Sequence, residues 1–413
     1  EYKNVYRPAR VISYDKESGE LMLHNYMDFD DLKDYVKISY ELTQDGLVIS
    51  KGKLPEVSVA PHSEGKTNLK INVPENGKCY LKLIYHLKKE LPLLDEEHIL
   101  GFDEIEVSKD DAKCKLAEKW LQKTAVDSEL QVNENDTQIH IKGREFAYTI
   151  DKRTALFTEM KFAGREYLNH PMELNIWRAP TDNDMYIKSE WKKAHYDKAY
   201  TRAYTTEVVQ GKHGVKITSH ASVVAETVQK ILDVMITWKI EVAGKIDADI
   251  EVTKDDEFPD LPRFGVRMFL DKKLSAARYF GMGPQESYCD KHQASSHGLY
   301  QANVDDLHED YIRPQENGSH YDCEYVELNN SRYGIVASAE NAFSFNASYY
   351  TQEELEEKTH NYELTESDSV VFCVDYALNG IGSNSCGPVV LEQYRFDDVL
   401  FRFQFTLIPY VKG

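Results

Sequence analysis

Val234-Met235-Ile236-Thr237-Trp238-Lys239-Ile240-Glu241-Val242 runs into Ala243-Gly244-Lys245 and resumes as Ile246-Asp247-Ala248-Asp249-Ile250-Glu251-Val252. Apolar and polar residues alternate on both sides of the break, so every second side chain falls on one face. That pattern predicts a long antiparallel hairpin with one buried face. The same rhythm recurs outward along the chain. Ile38, Tyr40 and Leu42 alternate up to Gln44-Asp45-Gly46 and return as Leu47-Val48-Ile49. Asp-Gly between such runs favours a tight turn because Gly accepts positive φ. Leu81, Leu83, Tyr85 and Leu87 form another strand, and Phe401, Phe403, Phe405 and Leu407 a closing one. Helical signals are few. Thr351 followed by Glu354 reads as a capping box opening a short acidic helix through Lys358. Lys188 to Lys198 reads as a second, with Trp191 and His195 four apart on one face. Strands do not alternate regularly with helices, which excludes a (β/α)₈ barrel and predicts an all-β chain.

At 413 residues the chain has room for two or three domains. The charged stretch Ser108-Lys109-Asp110-Asp111-Ala112-Lys113 interrupts the strands and marks a linker. The predicted domains are 1–108, with strands every 8–12 positions in the manner of an immunoglobulin-like sandwich, a linker at 109–120, and a larger antiparallel domain at 121–413. A formal charge of −21 repels phosphate backbones and anionic lipid, so neither nucleic acid nor membrane is an expected partner. No apolar run approaches a membrane span, and the opening Glu1-Tyr2-Lys3-Asn4-Val5-Tyr6 lacks a leader. The expectation is a piece cut from a longer cytoplasmic protein. Cys79, Cys114, Cys289, Cys323, Cys373 and Cys386 show no C-x-x-C pairing and read as buried thiols. Zinc-hydrolase His pairs and nucleotide loops are missing from the sequence, so no cofactor or metal site is expected.

Polar clusters gather in the second domain. They are Trp177-Arg178-Ala179-Pro180-Thr181-Asp182-Asn183-Asp184, Gly281–Tyr288, Tyr311–Gly318 and Gly380–Pro388. Gly and Pro fix turns while Asn, Asp, Gln and Glu bond locally. One reading is plain turn chemistry at strand ends. The other is that the loops meet at one rim and line a polar cleft suited to a sugar. Glycoside hydrolysis needs a carboxylate pair, and Glu286 and Glu316 are the candidates. Each sits beside Pro and an amide, however, the setting of a carboxylate that caps backbone N–H groups. Cys386 as a nucleophile would need His320 or His360 as its base, and an inert thiol is the better reading. Arg178 and Arg313 read as holding loop carboxylates.

At these loops the chain resembles the C-terminal part of the β-galactosidases of glycoside hydrolase family 2. Leu261-Pro262-Arg263-Phe264-Gly265, Asp290, Val304-Asp305-Asp306-Leu307-His308 and Phe343-Ser344-Phe345 extend the ordered match. At the front, Leu23-His24-Asn25 and Phe29-Asp30-Asp31-Leu32 resemble the family's second immunoglobulin-like domain. The resemblance implies that residues 121–413 form a β-supersandwich like that of galactose mutarotases. It implies a cut just after the catalytic barrel, whose two Glu residues hydrolyse terminal β-D-galactosides such as lactose with retention. The chain itself then carries no catalytic residue, and the family's Mg and Na sites lie in the absent domains. Its implied partners are the barrel, on the same polypeptide or a large subunit, the galactoside, and further copies in a homo-oligomer. Asp182, Asn183 and Asp184 match a motif near the substrate, as do Asn384, Ser385 and Cys386. Where family members stack a Trp on the sugar this chain has Cys386, so that role does not carry over.

The expected function is thus the non-catalytic C-terminal portion of a β-galactosidase, completing its cleft wall and oligomer contacts. A stand-alone carbohydrate-binding β-sandwich is the alternative. A mutarotase-like epimerase needs a His acid and a Glu base facing one sugar oxygen, and only Asn169-His170 points that way.

Overall fold

A computed structural model describes residues 1–108, 129–382 and 387–412. The predicted linker, Cys114, and Asn384, Ser385 and Cys386 lie outside the described residues. The all-β expectation is met, and the described chain divides into two compact units.

The first unit comprises residues 1–108 together with His292–Leu299. It holds a three-stranded sheet of Ala9–Tyr14, Glu20–Asn25 and Glu64–Asn68, and a four-stranded sheet in the order Leu47–Lys53, Val36–Gln44, Cys79–Leu87, Ile99–Glu106. Leu21 and Leu23 from one sheet share a core with Leu42, Leu81, Leu83 and Tyr85 from the other. Three plus four antiparallel strands around one core is the immunoglobulin-like arrangement. The Asp-Gly turn works as its chemistry dictates. Asp45 (φ 48°) and Gly46 (φ 79°) both take the left-handed conformation, joining two paired strands with a two-residue loop.

The second unit contains a five-stranded meander and most of a twelve-stranded antiparallel sheet. The meander runs Arg165–Glu166, Leu156–Phe162, Phe146–Asp151, Gln138–Lys142, Gln131–Glu134. The large sheet's main path is Leu168–Asn175, Arg263–Asp271, Ser369–Leu378, Tyr333–Ser348, Leu400–Val411, Ile246–Lys254, Leu232–Glu241, Gly214–Val224, Tyr200–Gly211. The predicted hairpin sits in it with Ile236 opposite Ile250 and Trp238 opposite Ala248. Its apolar face joins one continuous core with the meander, where the Trp238 indole N–H donates to the Ala155 carbonyl at 2.8 Å.

Both predicted helices exist, with changes. Gln352–Glu357 is helical and the Thr351 hydroxyl accepts the Glu354 N–H at 3.1 Å. Glu354 does not reach back to close the box; its carboxylate accepts the Thr365 N–H at 2.8 Å instead. The other helix is shorter than expected. It spans Ile187–Lys193, and His195 turns left-handed at φ 57°, so His195 does not share a helical face with Trp191.

Strands at the centre of the large sheet are buried on both faces, and the faces differ. Val266, Met268, Phe345, Phe372 and Val374 point into the apolar core. By alternation Arg263, Arg267, Ser344, Asn346, Cys373 and Asp375 point the other way, and all six are buried. Polar loops cover this second face.

Candidate functional site

Of the two readings of the polar clusters, that of loops meeting at one rim describes the fold: they come together over the polar face of the sheet. The Asp182 N–H donates to the Gln315 side-chain carbonyl at 3.0 Å, and the Gln315 amide donates back to the Asp182 carboxylate at 3.2 Å. Asn183 donates to the Ile381 carbonyl at 2.6 Å. The Glu316 N–H donates to the Ala179 carbonyl at 3.0 Å, and Ser287 N–H to the Ser319 carbonyl at 2.7 Å. Asp290 accepts from Ile381 N–H at 3.0 Å and Gly382 N–H at 2.7 Å, holding the loop up to where residues 383–386 begin. Backbone groups of turns otherwise left unpaired are satisfied by side chains of neighbouring loops.

Beneath the rim lie buried ion networks. Arg263, fully buried, makes a two-point contact with Asp375 at 2.5 and 3.2 Å and reaches Glu316 at 3.2 Å. Burial raises the Glu316 and Asp375 carboxyls above their usual range against the pull of Arg263, whose own value is held well up. Arg178, also fully buried, clamps Asp184 at 2.7 and 3.1 Å and donates to the Asn379 and Gly380 carbonyls. Arg178 therefore holds a loop carboxylate, as expected from sequence. Arg313 is exposed and has no ion pair among the described residues, contrary to expectation.

Glu286 and Glu316 are spoken for. Glu286 accepts the Gly318 N–H at 2.9 Å and the Tyr311 hydroxyl at 2.5 Å, and pairs with Lys291. Glu286 thus acts as the expected cap, whereas Glu316 serves an ion pair with Arg263. Of the three acidic-loop candidates, Asp182 is exposed on the rim, Asn183 is half-buried, and Asp184 is locked under Arg178. His320 is buried between Tyr279 (4.5 Å) and Phe345 (5.0 Å) and donates from Nδ1 to the Met282 carbonyl at 3.2 Å. Cys289 donates its thiol to the Leu378 and Tyr394 carbonyls, and burial pushes its pKa up to about 12, the state of an inert thiol. Among the described residues there is no cluster able to hold a metal ion.

The Gly380 N–H donates to the Tyr394 carbonyl at 2.8 Å, and beside that contact opens a cleft of about 310 Å³. Tyr321, Tyr376 and Tyr394 line it with Arg395, Asp322 and Asp398. These rings, rather than position 386, offer aromatic surface next to the rim. Sequence reasoning missed them, and it missed the polar face itself. The signal existed in Arg263, Gly265 and Arg267 alternating with Phe264, Val266 and Met268.

Residues 142–407 match the family described as Beta galactosidase small chain, and residues 21–108 match Beta-galactosidase, domain 4. A protein described as Beta-galactosidase from Actinobacillus pleuropneumoniae is 42% identical over 99% of this chain and 39% of its own length. One from Staphylococcus xylosus is 30% identical over 98% of this chain and 40% of its own. The chain therefore spans about two fifths of the length of these relatives. A galactose 1-epimerase from Lactobacillus acidophilus NCFM aligns with 69% of this chain and 99% of its own at TM-score 0.38 and 8% identity, too distant to carry an inference.

Proposed function

Since residues 142–407 carry the small-chain match, the chain belongs to the β-galactosidase family, and we propose that it is the non-catalytic C-terminal portion of a retaining β-galactosidase. A barrel outside this sequence supplies the two carboxylates that a retaining mechanism places about 5–5.5 Å apart. The rim of this chain completes the wall of that cleft, with the Tyr376 and Tyr394 rings in place of the stacking residue absent at Cys386. One observation carries the reading. Glu286 and Glu316, the carboxylate pair that the sequence offers for glycoside hydrolysis, are each consumed by internal partners. A carboxyl locked into a buried ion pair is a poor nucleophile and a poor proton donor.

Two measurements test this. The 413-residue chain alone is expected to hydrolyse a chromogenic β-galactoside no faster than buffer. Turnover that disappears in Glu286→Gln or Glu316→Gln overturns the reading. Grafted in place of the matching segment of the Actinobacillus pleuropneumoniae relative, the chain is expected to restore hydrolysis that the truncated relative lacks. A soluble, folded graft with no activity speaks against it.

A further inference from the structure

A second cleft, of about 330 Å³, lies in the second unit and shares only Trp177 with the rim clusters in its lining. Its walls come from one end strand of the large sheet's main path, from Pro171 to Asn175 and on through Ile176 and Trp177 just past its end, and from Tyr196, Asp197, Ala199, Tyr200 and Thr201 leading into the other. Neither end strand has a further strand neighbour on that path, so the cleft occupies the seam where the sheet stops short of closing. From this seam we propose a binding site for an uncharged, hydroxyl-rich ring such as a pyranose. The proposal stands independently of the reading above.

Four polar residues lining the cleft, Asp151, Asn175, Thr201 and Arg267, are each less than a tenth exposed. Asp151 and Arg267 are engaged in ion pairs, so the capacity left for a ligand lies on Thr201 and Asn175. The Thr201 hydroxyl has no hydrogen-bond partner among the described residues although its residue is 8% exposed. Asn175 accepts the Trp177 N–H at 3.0 Å, but among the described residues its amide nitrogen has only the Cys373 sulfur, 4.0 Å away, as acceptor. A hydroxyl and an amide nitrogen without strong protein partners, on residues this little exposed, are available to bond a ligand or water in the cleft.

Charge selects the class of ligand. Among the described residues, Asp151, Glu173, Asp197 and Glu353 line the cleft with Arg267 as the one cation, which disfavours a phosphate or carboxylate. Three of the four carboxylates are already ion-paired, Asp151 with Arg153 and both Glu173 and Glu353 with Arg267, so little free charge remains for a cation. Fixed, neutralised carboxylates are good acceptors for sugar hydroxyls. Leu156, Met172 and Ile176 give an apolar floor, and the half-exposed Tyr200 ring stands at the mouth where a sugar's C–H face can stack. The volume falls within the range of small-ligand pockets.

The test is calorimetric titration of the 413-residue chain with D-galactose, D-glucose and lactose to about 100 mM, a range set by weak ligand efficiency. Saturable binding is expected, weakened at least about threefold by Thr201→Val, the loss of one hydrogen bond. Tyr200→Ala should weaken it similarly, while Asn183→Ala on the rim leaves it unchanged. Circular-dichroism melts confirm that the variants fold. Flat heats with all three sugars, or binding that survives Thr201→Val and Tyr200→Ala but is lost in Asn183→Ala, overturn the proposal.

Discussion

His320 shows how a single residue ties the polar face to pH. Its residue is 1% exposed, Nδ1–H is bonded to the Met282 carbonyl, and Nε2 has no hydrogen-bond partner among the described residues. Burial lowers its pKa from 6.5 to about 4, so the folded state keeps the ring neutral. The unfolded chain takes up a proton below pH 6.5 and the folded chain only below about 4. Stability from this group is therefore complete above pH 6.5 and is lost as pH falls, by about 3 kcal/mol in total. Urea unfolding followed from pH 7 to pH 4 should show that slope, and His320→Phe should flatten it. An unchanged slope in the variant rejects the account. Arg263 makes the complementary case. Replacing it with Met leaves Asp375 and Glu316 buried without their cation, and should cost about 3–5 kcal/mol in chemical denaturation. A loss below about 1 kcal/mol would mean that the two carboxyls are neutral when folded.

Elements here are legible where one period governs them. The Asp45-Gly46 hairpin requires only alternation and a residue tolerant of positive φ, and the sequence states both. The turn also contains a constraint that no local pattern states. A Cβ on Gly46 would stand 2.4 Å from the Leu299 backbone nitrogen, whereas one on Gly164, at a similar φ of +74°, would meet open space. Gly164→Ala should cost about 1–2 kcal/mol from conformation alone. Gly46→Ala should cost roughly 2–5 kcal/mol, conformation plus overpacking. Thermal unfolding of the two variants side by side gives the difference, and equal losses would remove the close approach. The same limit explains what else was missed. Arg263-Phe264-Gly265-Val266-Arg267 alternates like a half-exposed strand, so sequence suggests solvent on its charged side. In the fold that side is buried, because a rim loop 53 residues on supplies Glu316 and the paired strand Ser369–Leu378, 112 residues on, supplies Asp375. Loop composition foretold that the rim clusters are polar and turn-forming. Their convergence depends on strand order, which alternation does not encode.

For the whole molecule, a division into successive stretches of chain misses one exchange of material. Cutting at residues 109–120 assigns His292–Leu299 to the larger domain, yet these residues belong to the compact first unit. Their seat there is specific. The Glu104 carboxylate accepts the His297 N–H at 2.9 Å and lies 2.6 Å from its Nδ1, and the imidazole stacks on Tyr80 at 4.1 Å and 5°. Lys82 donates to the Ser296 hydroxyl at 2.9 Å. Nothing in the segment Lys291-His292-Gln293-Ala294-Ser295-Ser296-His297 advertises this, because its partners lie about 200 residues earlier. Hydrogen bonds to a charged acceptor contribute about 1.5–3 kcal/mol each. Glu104→Ala should therefore let the segment open locally without unfolding the unit, since Leu21, Leu42 and Leu83 hold its core independently. Amide hydrogen exchange at residues 296–299 is expected to accelerate by roughly tenfold to a hundredfold, the rate equivalent of that energy. The amides of Cys79–Leu87 outside the contact should keep their protection. Equal acceleration in that strand would mean that Glu104 supports the whole sandwich. No acceleration at His297 would mean that the segment is held by its own backbone and that the carboxylate contributes nothing.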